Sequence, residues 1–113
     1  MEQHYKLFRV RELAEGDQDF INILAQTFLE EVPADAQTLK ESVENNNHLA
    51  TYQTAHKMKP TIDMFELGVL DDLIEVQDWG KHEKAGVDIL PKLQIVLAAV
   101  KQASDEIRSD FNL

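Results

Sequence analysis

Leu49-Ala-Thr-Tyr-Gln-Thr-Ala-His56-Lys-Met-Lys59-Pro-Thr-Ile-Asp-Met-Phe65 decides how the chain folds. With about 3.6 residues per turn, each residue rotates the helix surface by about 100°. Ala55, Met58, Ile62 and Phe65 then share one face, and that face must be buried. His56 points about 140° away from its centre by the same arithmetic. An imidazole placed there is exposed, so core packing does not explain it. Lys59 follows one turn later and adjoins it on the helix surface. A solvated imidazole beside a cation suits holding an anion such as a phosphoryl group.

Working outward, four glycines and three prolines punctuate the chain near helix boundaries. A first helix is expected from Tyr5 to Ala14. Gly16 would end it, and Asp17 would cap the next. Phe20, Ile21, Leu24, Phe28 and Leu29 give the second helix its apolar spacing. Pro33 is expected to break the ladder or to open a third helix, whose apolar face is Ala36, Leu39 and Val43. Asn45-Asn46-Asn47 is a turn cluster before the histidine helix. A fifth helix is expected from Gly68 to Lys81, with Leu70, Leu73, Ile74 and Trp79 for the core. Gly80 to Gly86 reads as a polar connection. The last helix is expected from Val87 to Phe111 on Leu90, Leu93, Leu97, Val100 and Ile107, with Pro91 in its first turn. No strand pattern, repeat or linker appears. The expected fold is all-α: an antiparallel up-down four-helix bundle with an additional N-terminal helix or helices.

At 113 residues the chain reads as one domain, 1–113, able to bury a core without cross-links. It has no cysteine, which excludes disulfides, thiolate chemistry and a cysteine zinc site. A net charge of −10 opposes binding to nucleic acid or to anionic membranes. No apolar stretch reaches the about 18 residues of a membrane span, and Met1 to Lys6 does not resemble a signal peptide. These features fit the cytoplasm. The starting Met1 favours a standalone protein.

Ala55-His56-Lys57-Met58-Lys59-Pro60-Thr61 resembles the signature of histidine-containing phosphotransfer (HPt) domains. In that family the His is followed by any residue, an apolar one, Lys, Gly or Pro, and a small residue. Gly16 to Ile21, Phe28, Glu31-Val32-Pro33 and Leu39 resemble the family's earlier helices, so the likeness spans roughly residues 5 to 105. One departure is Glu66, which stands where the family usually has Gly; the nearest glycine is Gly68.

The resemblance implies a phosphorelay carrier. His56 would be the phosphoacceptor, through Nε2, taking a phosphoryl group from phospho-aspartate or phospho-histidine on a partner. Histidine titrates near neutrality, so a neutral imidazole is available to attack. Lys59 would stabilise the phosphoryl oxygens, and Gln53, one turn before His56, could donate a hydrogen bond to them. Lys57 is turned about 100° away and is a docking or solubility residue. Leu49, Tyr52, Gln53, Pro60 and Asp63 share the exposed side with His56 and are candidate docking contacts. The implied partners are response-regulator receiver domains and a sensor or hybrid histidine kinase. The partner would supply the metal ion and acidic pocket, and the chain, expected to be a monomer, needs no cofactor or metal of its own. If the helix runs through Pro60, the His56 carbonyl loses its amide partner and the backbone opens just after the acceptor.

Other residues carry less. His4, His48 and His82 fall in terminal or loop regions with no metal-ligand spacing. Trp79 reads as core or helix-end packing. No glycine-rich phosphate loop, Walker lysine or kinase motif is present, so autonomous kinase or ATPase activity is not expected. The alternative is a binding module that docks receivers without phosphotransfer. A metal-dependent bundle enzyme would need inward Glu-x-x-His motifs, which the chain lacks.

Overall fold

The computed structural model describes residues 4–113, and every regular element among them is an α-helix. The order is α1 (Phe8–Leu13), α2 (Gln18–Glu44), α3 (His48–Met64), α4 (Leu70–Lys81) and α5 (Leu90–Asp110). The fold is all-α. No helix among the described residues is long and apolar enough to cross a membrane.

The expected punctuation holds at the start of α2. Gly16 takes φ +77°, and its N–H donates to the carbonyl of Arg11, closing α1. The Asp17 carboxylate then accepts from the N–H groups of Asp19 and Phe20, two donors that the first turn leaves unpaired. The asparagine cluster also acts as a turn. Asn46 adopts φ +53°, and the Asn47 side chain caps α3 by accepting from the Ala50 N–H.

Pro33 departs from expectation. It neither breaks α2 nor opens a new helix, but lies inside a continuous span of 27 residues. The reason is the buried stripe Ile21, Ala25, Phe28, Val32, Ala36, Leu39 and Val43, whose three- and four-residue steps run past Pro33 without a phase change. A helix interior loses about 3 kcal/mol to proline. Burying several aliphatic and aromatic side chains, at about 1.5–3 kcal/mol each, outweighs that cost. Phe20 is the exception on the expected face, being 39% exposed.

The helices pair as α2 with α3 and α5, and as α4 with α3 and α5. Phe28 of α2 meets Phe65 at the end of α3, with ring centroids 4.8 Å apart. Towards the other end, the buried Ser42 and Thr51 hydroxyls lie 2.9 Å apart. The N-terminal segment covers the end of the molecule where α2 begins and α3 stops. Its buried Tyr5, Leu7 and Val10 join the core, the Lys6 N–H donates to the Phe65 carbonyl, and the Tyr5 hydroxyl donates to Asp110 of α5.

Gly80 lies within α4, as a helix expected to reach Lys81 requires, and is buried, so the connection begins after it. It lets two helices touch. A Cβ built there would stand 2.6 Å from the His48 carbonyl oxygen and 2.7 Å from the Tyr52 nitrogen, both backbone atoms of α3. Neither can move without shifting the helix. Gly80→Ala is therefore expected to destabilise the fold by about 1–3 kcal/mol through overpacking. An unchanged urea midpoint would mean that α3 and α4 do not approach this closely.

His48 and Trp79 complete that end. His48 opens α3, contrary to its expected loop position, and its ring lies 4.3 Å from the Trp79 ring. Trp79 is buried, as a packing residue should be, and its indole N–H donates to the Val87 carbonyl.

Candidate functional site

The site is built on the middle of α3. Thr51, Ala55, Met58 and Ile62 are buried in the core, and Phe65 continues their line just past the helix end. That fixes the rotation of the helix and leaves His56 exposed on the opposite side. Leu49, Gln53, Pro60 and Asp63 are exposed on the same side, whereas Tyr52 and Lys59 are half-buried. The grouping expected from the helical step is thus present around His56. α3 runs unbroken through Pro60. Because proline has no N–H, the His56 carbonyl lacks the donor four residues on that a regular helix supplies.

The two lysines near His56 differ in their surroundings. Lys57 donates to Asp35 of α2 at 3.0 Å. The hydrogen bond and charge of Asp35, reinforced by Glu31, hold its ammonium above the ordinary pKa of 10.5 despite some desolvation. Its contribution to stability is complete at neutral pH and is lost only as alkaline pH passes that raised value. Lys57 therefore ties α3 to α2, a role beyond the docking or solubility one expected of it. Among the described residues, Lys59 has no ion-pair partner and Gln53 no hydrogen-bond partner. Both groups are one turn from His56, on either side of it in sequence. An anion held at the imidazole would meet one uncommitted cation and one uncommitted amide.

The sequence reading also missed a contact. The Tyr52 ring stacks on His56, with centroids 5.9 Å apart and planes 29° from parallel. The signal was present, because aromatic residues four apart on a helix are surface neighbours.

Glu66, the departure noted in the motif, closes α3 with φ +50°. This left-handed conformation is one that glycine adopts without a Cβ penalty. Here a glutamate takes it, and its side chain reaches back to within 3.8 Å of Arg9. Arg9 also donates to Asp63 at 2.7 Å, so α1 is pinned beside the end of the site helix.

The remaining histidines lie elsewhere. His4 pairs with Glu106, and His82 caps α4. Among the described residues no group of three or more His, Asp or Glu is placed to hold a metal ion. No family model, no curated protein and no solved structure matches the chain.

Proposed function

We propose that the chain is a histidine phosphotransfer protein. It carries a phosphoryl group on His56 between a sensor or hybrid histidine kinase and the aspartate of a receiver domain. The observation that carries this reading is the exposed His56 on a helix whose opposite face is anchored in the core, with the uncommitted Lys59 one turn away. The motif around His56, Ala55 to Thr61, is the second support. The fold in this reading is an antiparallel up-down bundle of α2 to α5, with the N-terminal segment and α1 packed over one end. It acts in the cytoplasm as a monomer.

Transfer from a receiver begins with neutral His56. Its Nε2 lone pair attacks phosphorus, the N–P bond forms as the P–O bond to the aspartate carboxylate breaks, and the carboxylate leaves with that electron pair. The Lys59 ammonium offsets charge on the phosphoryl oxygens, and the Gln53 amide donates to one of them. A metal ion held in the partner's acidic pocket would supply the remaining charge neutralisation, so the bundle acts as a carrier and not as an autonomous kinase. In the return direction the phosphorylated imidazole donates to a receiver aspartate.

Lys59→Ala should slow transfer by about tenfold or more while moving stability by no more than about 0.5 kcal/mol. Quench-flow transfer and thermal melts on one preparation check both. Early unfolding with normal transfer per folded molecule would assign Lys59 to the fold instead.

The reading itself is tested by labelling. With labelled ATP and magnesium alone, the chain should remain unlabelled. Addition of a kinase and its receiver should produce acid-labile, base-stable label on the chain. Label in the first mixture would show an intrinsic kinase activity. Stable docking to phosphorylated receivers with no label in the second would favour a non-catalytic binding module.

A further inference from the structure

We propose that Tyr52 is a positioning residue that holds the His56 imidazole in its reactive orientation, an inference that rests on His56 being the phosphoacceptor. Three features support it. The two rings stack at a spacing and tilt typical of attractive offset aromatic pairs. Tyr52 has a closely packed backbone, because Gly80 brings α4 so near the Tyr52 nitrogen that even a methyl group there would clash. Its ring is half-buried in the wall of a groove shared with Leu49, Gly80, Lys81 and Glu83. The half-buried tyrosine thus offers a ring face from a closely packed part of α3, and the exposed histidine rests on it.

The geometry also leaves the chemistry free. The lone pair that attacks phosphorus lies in the plane of the imidazole, whereas Tyr52 covers a face. Stacking thus limits rotation of the ring without blocking its nitrogen edge. A nucleophile already oriented loses less freedom on reaching the transition state. Loss of such a pair should slow transfer by about 2- to 12-fold, the rate equivalent of its interaction energy.

The test uses the intact chain and phosphoramidate, a small phosphoryl donor that needs no cognate partner. In that reaction the N–P bond to His56 forms as the bond from phosphorus to ammonia breaks. Ammonia leaves with the electron pair, and the imidazole N–H proton passes to solvent. Tyr52→Leu keeps an apolar side chain without an aromatic face, and Tyr52→Phe restores the face without the hydroxyl. Proton NMR reads the ring-current shift of the His56 ring protons, and His56→Gln supplies the background for labelling at other sites.

The expected result is that Tyr52→Leu loses the ring-current shift and slows His56 labelling by about 2- to 12-fold. Tyr52→Phe should restore both. An unchanged shift in Tyr52→Leu would overturn the stacking. A lost shift with an unchanged rate, or a Phe variant as slow as Leu, would overturn the positioning role while leaving His56 as the acceptor. Wild-type chain that shows the ring-current shift yet takes no label on His56 from phosphoramidate or from receivers would instead overturn the acceptor reading, and the positioning role with it.

Discussion

His56→Gln is expected to abolish receiver-driven labelling completely. The other histidines offer no comparable acceptor: His4 is paired with Glu106, His48 is packed on Trp79, and His82 lies at the end of α4. The variant should nevertheless fold. His56 is exposed, and glutamine is a better helix former than histidine, so the change in stability should stay within about 0.5 kcal/mol. Labelling by a phosphorylated receiver and a thermal melt on the same sample make the comparison. Label retained at the wild-type level would place the acceptor elsewhere. Lost label together with an unfolded variant would mean that His56 is part of the fold, contrary to its exposure.

The largest effect on stability is expected from the opposite face. Ile62 is 1% exposed and sits between Met58 and Phe65, both buried. Ile62→Ala removes buried apolar volume that the surrounding helices can only partly refill, at a cost of about 2–5 kcal/mol. A single domain of this size is stable by only about 5–15 kcal/mol, so the variant should unfold at a markedly lower urea concentration. Ile62 and His56 lie on opposite faces of α3, and each therefore tests the other's placement. An Ile62→Ala variant with an unchanged midpoint would rotate α3 and take His56 out of solvent.

The histidine helix was legible because its apolar positions repeat at helical spacing, and that period alone fixes which residues face outward. The exposed placement of His56, with Lys59 and Gln53 one turn to either side, followed from the same arithmetic, whereas their roles at a phosphoryl group rest on the resemblance of the motif. At Pro33 a local rule opposes a tertiary one, and the tertiary one prevails. The stripe from Ile21 to Val43 keeps its phase through the proline, and its burial overrides the broken hydrogen bond. That phase continuity was visible in the sequence and was the better guide.

Gly80 and Tyr52 were harder for a different reason. A glycine near a polar stretch reads as a turn, and only the position of α3 shows that the missing side chain permits close helix contact. Tyr52 was placed on the exposed side, but its stacking depends on rotamers that helical spacing does not specify. His48 lies in the helix and not in a loop because Asn47 caps α3, which starts one residue later. Lys57 and Asp35 are 22 residues apart, and their pairing follows from the antiparallel passage of α3 along α2.

Phosphorylation of His56 is measured most directly by mass spectrometry of the chain after mixing with purified phosphorylated receivers, peptides being recovered under alkaline conditions that preserve phosphohistidine. The expected result is a gain of one phosphoryl group on the peptide containing His56, lost on brief acid treatment and absent from His56→Gln. Receivers that bind the chain but leave that peptide unmodified, or phosphorylation located on any other residue, would contradict it.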